Sequence, residues 1–170
     1  MDSSELRLPT KKSQALLVYL ASPPGVARSR DQLAELLWSR SAEEQARTSL
    51  RQNLARLRKS LGSAKDIISA DTSQITLVPD RVDTDTAMLE GLLSQPDIDS
   101  LKAAANLLRG EFAAGLNINE DLFEEWITTE RRRISDLAVS ALERLLHHYE
   151  ELEDSDEAIV VARKLLAIDP

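Results

Sequence analysis

The chain has no cysteine, two histidines and only six aromatic residues in 170. Without cysteine there is neither a disulfide framework nor thiolate chemistry, and the absence fits a cytoplasmic protein. His147 and His148 are adjacent, so on a helix they point to different faces; two helical histidines that share a metal stand at i, i+4, and no metal site is expected. The glycines at 25, 62, 91, 110 and 115 are scattered, which excludes a glycine-rich phosphate loop. One histidine pair on a predicted helix supports no Ser/His/acid set, and the carboxylates fall mostly at helix caps or on solvated faces. No catalytic residue and no cofactor are therefore expected, and the chain is not read as an enzyme. No apolar run approaches the ~20 residues that span a bilayer. Residues 1–9, MDSSELRLP, lack the charged and apolar regions of a signal peptide, so a membrane partner is not expected either.

What the chain has instead is charge, unevenly placed. Its 21 Lys+Arg against 29 Asp+Glu give a net of −8, which as an average argues against nucleic acid. The average hides a split. Residues 1–83 hold 13 basic and 10 acidic residues, a net of +3, whereas 84–170 hold 8 and 19, a net of −11. A basic unit fused to an acidic one predicts two domains, 5–83 and 84–170, with different partners. Each is near the smaller sizes at which a core supports itself. The basic half suits phosphate; the acidic half suits protein or a second copy of itself.

Residues 28–61, RSRDQLAELLWSRSAEEQARTSLRQNLARLRKSL, carry the sharpest signal and read as two amphipathic helices joined by a polar turn. The second places Leu50, Leu54, Leu57 and Leu61 on one stripe of a 3.6-residue helix, which predicts that this face packs inward. The remainder is Arg47, Thr48, Ser49, Arg51, Gln52, Asn53, Arg56, Arg58 and Lys59, with no acid after Glu44. Arg pairs with guanine edges, Gln and Asn with adenine, and further cations with phosphate, so this helix suits a DNA major groove. A basic helix face is more often plain solvated surface, and the flanking elements decide between the two readings.

Those elements predict a winged helix-turn-helix, three helices plus a β-hairpin. Leu6 and Leu8 alternate with polar residues before Pro9 and suggest a short edge strand. Residues 12–21, KSQALLVYLA, form a first helix that Ser22, Pro23, Pro24 and Gly25 end. Ser29 with Gln32 makes a capping box for the second helix, which buries Leu33, Leu36, Leu37 and Trp38; Ser41 with Glu44 makes another for the third. Gly62 stops that helix, and Ile67-Ile68 and residues 75–78 flank a polar turn at 70–74. In such a fold the third helix enters the major groove and the wing meets a flanking backbone or minor groove.

The series KKSQALLVYLA, GVARSRDQLAELLW, ARTSLRQNLARLRKSLG and ITLVPDRVDTD, across nearly all of 5–85, resembles the DNA-binding domain of SARP-type bacterial transcriptional activators, an OmpR-like winged helix. The resemblance implies that the basic helix is the recognition helix and that the target is a direct repeat. Members of that family open with several strands ahead of the position of Leu6–Leu8; these are missing here, so a fragment or a reduced N-terminal sheet is expected. The candidate groove residues are Arg47, Thr48, Arg51 and Gln52, in the first half of the helix. Arg56 and Lys59 are candidates for phosphate, and Arg81, beside the hairpin, for a wing contact. Trp38 is read as core, and Arg58 as snorkelling past the leucines or pairing with an acid.

Beyond Thr84 the strand signals stop. Asp85 is expected to cap a helix through Met88, Leu89, Leu92 and Leu93, and Asp99 or Ser100 the next, with Leu101, Ala104, Ala105, Leu107 and Leu108. A break at 115–119 precedes a long amphipathic segment, 120–151, and a last helix follows residues 154–156. The stretch ALERLLHHYEELEDSDEAIVVARKLLAIDP looks like a tetratricopeptide-type hairpin. The block LLRGEF…LFEEWITTERRRISDLAVSALERL resembles the bacterial transcriptional activator domain that follows the winged helix in SARP-type regulators. Family domains continue for two more helical repeats, so an incomplete domain with an exposed apolar edge is expected. Arg131-Arg132-Arg133 is read as surface ion pairing rather than a second DNA patch.

The expected fold is mostly α: a winged helix-turn-helix followed by a helical, tetratricopeptide-like domain. The expected function is sequence-specific binding of double-stranded promoter DNA by a cytoplasmic regulator, with RNA polymerase or a second copy (a homodimer) as the partner of the acidic half. The rivals are a protein-interaction scaffold and the regulatory portion of a larger signalling enzyme.

Overall fold

The computed structural model of the chain describes residues 8–108 and 110–168, and within them seven α-helices and a three-stranded sheet. They form two units. The first holds the described residues up to Asp83 together with Gly115–Thr128, the second Thr84–Ala114 and the described residues from Thr129 onward. Residues 115–128, assigned by charge to the acidic half, thus pack with the basic one.

In the first unit α1 (Lys11–Leu20) starts at Thr10, whose hydroxyl accepts from the Ser13 amide at 3.0 Å. Ser29 and Gln32 make the reciprocal capping box expected for α2 (Arg30–Leu37). α3 (Glu43–Leu61) begins one residue later than its expected box requires. Its N-cap is Ala42, without a side-chain cap, and the Ser41 amide instead closes a turn onto the Trp38 carbonyl at 3.0 Å. Glu43 and Glu44 in the first turn and Arg58 and Lys59 in the last still complement the helix dipole. Leu50, Leu54, Leu57 and Leu61 are all buried, each worth about 2 kcal/mol of apolar transfer. They pack with Leu16, Leu20, Leu33 and Leu37 in a core of helices α1–α3. Gly62, at φ +56, turns the chain out of α3, a conformation that costs a residue with a Cβ more.

The hairpin joins β2 (Ile68–Ala70) to β3 (Gln74–Leu77) in antiparallel register, Ile68 opposite Leu77. The third strand is β1 (Arg28–Ser29), antiparallel to β3, giving the order β1-β3-β2. The edge strand expected around Leu6–Leu8 takes no part: Leu6 lies outside the described residues, and Leu8 is in no strand. Gly25 donates its amide to the Leu77 carbonyl at 2.8 Å, and a Cβ there would meet Pro79 Cγ at 3.3 Å.

In the second unit α4 (Asp85–Leu93) is capped by Thr84 and α5 (Ile98–Leu107) by Asp97, not by Asp85 and by Asp99 or Ser100. Each true cap precedes the expected one because only a residue outside the helix can turn its side chain back onto the N3 amide. α6 (Asp121–Glu151) starts in the first unit and continues in the second; α7 (Ser155–Ile168) follows a three-residue turn in which Asp154 Oδ1 accepts from the Glu157 amide. Leu101 and Ala105 of α5, Leu142, Leu145 and Tyr149 of α6 and Val161 of α7 form one core. Ile159, Val160 and Leu166 of α7, and Leu152, remain exposed. No helix among the described residues is long and apolar enough to cross a membrane.

Candidate nucleic-acid interface

Opposite its buried leucines, α3 exposes Thr48, Arg51, Gln52, Arg56 and Lys59, with Arg47 at the edge of that face. Thr48, Arg51, Gln52 and Lys59 stand at offsets 0, 3, 4 and 11, the spacing of a single helical stripe. Asn53 does not join them. It is 6% exposed, sits between Leu50 and Leu57 in helical spacing, and donates from Nδ2 to Thr10 Oγ1 at 3.4 Å. The i+3 and i+4 relation to two core leucines was the signal for its burial.

The first half of α3, the start of α2 and the hairpin tip line a cleft of about 900 Å³, bounded by Arg30, Asp31, Arg47, Arg51 and residues 71–73. Within it Arg47 is held. Its Nε donates to Asp31 Oδ1 at 2.8 Å and its Nη2 lies 2.7 Å from Glu43 Oε1. The hydrogen bond to Asp31, then the charges of Asp31 and Glu43, raise its pKa above the ordinary arginine value. Arg51 has no ion-pair partner among the described residues and faces the cleft.

The wing tip is built by Asp71. Its Oδ1 accepts from the Ser73 amide (2.7 Å), the Gln74 amide (2.7 Å) and Ser73 Oγ (3.0 Å), and these bonds hold the carboxyl below its ordinary range. Arg30, which the sequence reading passed over, ties the tip to α2: its amide donates to the Ser73 carbonyl at 2.9 Å and its Nε to the Asp71 carbonyl at 2.8 Å. Its place as the first residue of α2, directly after the cap Ser29, was the available signal. Arg81 lies in the short 3-10 turn Pro79–Arg81 beyond the other end of β3, away from this tip. Arg58 pairs with no acid among the described residues; its Nη2 donates to the Ile68 carbonyl at 2.8 Å and binds α3 to the hairpin.

Residues 115–128 buttress the side of α1 and α2. Glu120, 6% exposed, accepts from Lys12 Nζ at 2.7 Å and from Ser39 Oγ at 2.7 Å. Burial pushes its carboxyl up, and the bonds from Lys12 and Ser39 outweigh that and leave it below the ordinary value. Arg40 pairs with Asp121 at 3.0 Å, and Trp126 packs edge-on against Tyr19 with centroids 4.8 Å apart. Trp38, half-buried at the end of α2 rather than in the core, lies under Lys12 Nζ at 5.0 Å. No group of His, Cys, Asp and Glu suited to a metal ion occurs among the described residues.

Two families match the chain. Residues 4–74 match the family described as "Transcriptional regulatory protein, C terminal", and residues 94–170 the "Bacterial transcriptional activator domain". No curated protein and no solved structure matches it significantly.

Proposed function

From the premise that this chain has the SARP-type architecture of bacterial transcriptional regulators, an OmpR-like DNA-binding domain followed by a bacterial transcriptional activator domain, we propose that it reads promoter DNA with α3. The observation that carries this reading is the stripe of Thr48, Arg51, Gln52 and Lys59, exposed opposite a buried leucine face beside a structured wing tip. Arg51 and Gln52 contact base edges, with Thr48 beside them and Arg47 joining when its acids release it; Arg56 and Lys59 meet phosphate. Arg81 meets backbone at the base of the wing. The second unit acts in the cytoplasm through protein contact, with RNA polymerase or a second copy.

Selection of bound DNA from a random pool tests this directly. A consensus should emerge, and its affinity should fall with salt at a log–log slope near −0.9 per phosphate contact. No retardation of DNA at low salt would sink the proposal and favour a protein-binding role for the winged helix.

A further inference from the structure

Of the three consecutive arginines on α6, two are committed. Arg133 pairs with Glu130 and Glu90. Arg131 donates from Nε to the Phe112 carbonyl at 3.1 Å and from Nη2 to the Ala113 carbonyl at 3.0 Å, and lies 3.4 Å from Glu111. It holds a loop in which Ala113 adopts φ +47. Arg132 is exposed and has no ion-pair partner among the described residues.

That loop is one wall of a cleft of about 670 Å³ within the second unit. The volume is in the range of small-molecule sites, ~300–1,000 Å³. Its lining is largely apolar, with Phe112, Ile134, Ile168 and the fully buried Leu142. Among the described residues its charged lining is Arg131, Arg132 and Lys164 against Glu111 and Asp136. Three of the eight basic residues in 84–170 therefore meet at one cavity of a strongly acidic half. With Arg131 and Glu111 paired, two cations face one acid. Lys164 Nζ makes one long hydrogen bond, 3.4 Å to the Ala105 carbonyl, and keeps donors to spare.

We propose that this cleft binds a small amphiphilic anion, a carboxylate on an apolar body. Arg132 and Lys164 meet the carboxylate, the apolar body lies against Phe112, Ile134 and Leu142, and Arg131 is a positioning residue that shapes the wall. An acidic domain surrounding a net-positive, apolar-lined cavity disfavours anions elsewhere and cations here.

The test uses the full chain, with decanoate and decylamine below their micellar concentrations as probes of equal length and opposite charge. Calorimetry should show saturable binding of decanoate and none of decylamine, and methyl resonances of Ile134, Leu142 and Ile168 should shift. Arg132→Gln with Lys164→Gln, both near the surface, should keep the melting temperature and weaken decanoate at least tenfold. Equal binding of decylamine, an unchanged affinity in the double variant, or shifts confined to the exposed Leu152, Ile159, Val160 and Leu166 would each overturn the proposal.

Discussion

Arg47 and Arg51 stand one turn apart on α3, and their surroundings make them unequal. Asp31 and Glu43 already meet the charge of Arg47, so a phosphate or a guanine must compete with two carboxylates for it. Among the described residues no acid pairs with Arg51. On a selected site Arg51→Ala should therefore cost about 1–3 kcal/mol and relax specificity at one base position, whereas Arg47→Ala should cost less. Asp31→Asn works in the opposite direction: it removes a negative charge from the cleft and leaves Arg47 paired with Glu43 alone, so DNA should bind severalfold more tightly at low salt, with a steeper salt dependence. Gel retardation across a salt series separates these outcomes. Equal losses for the two arginine variants would show that the Arg47 ion pairs do not survive on DNA.

At the scale of elements, the helices were legible because each announces itself locally. The leucine stripe of α3 and the Ser29–Gln32 box need only residues three or four apart, and both stand as read. What lay outside the sequence reading has long sequence separation or very short length. β1 is two residues long, too short to show alternation, and exists because β3 offers it an edge. The pairing of Arg47 with Asp31 joins two helices, so charge patterning along α3 alone does not reveal it. The wing tip likewise depends on one side chain: Asp71 gathers three hydrogen bonds that close the hairpin loop. Asp71→Ala should speed amide exchange at Ser73 and Gln74 and weaken DNA binding with little change in which bases are selected, the outcome that the proposed contact of the wing with backbone predicts. A shifted consensus in this variant would place the wing tip against base edges instead.

At the scale of the whole chain, the winged-helix unit is not a continuous stretch. Lys12 of α1 and Ser39 just after α2 receive Glu120, Arg40 receives Asp121 and Tyr19 receives Trp126, all from beyond the start of the acidic sequence, and no charge average along the chain reveals a partner 108 residues from Lys12. A chain cut after residue 83 leaves Lys12 and Ser39 without Glu120 and Tyr19 without Trp126, and should melt well below the full chain. The same contact gives this unit a pH signature. The folded carboxyl of Glu120 titrates below its ordinary value of 4.5, so its contribution to stability is present above that value and is lost as pH falls through the lower folded one. Glu120→Gln keeps the shape and removes the charge that Lys12 and Ser39 recognise. It should cost about 2 kcal/mol at pH 7, as expected for a hydrogen bond to a charged group, and the cost should shrink as the wild type is acidified below pH ~4. Thermal melts of both chains between pH 7 and pH ~3 read this directly. A gap between them that does not change with pH would mean that the Glu120 charge does not hold residues 115–128 to the winged helix.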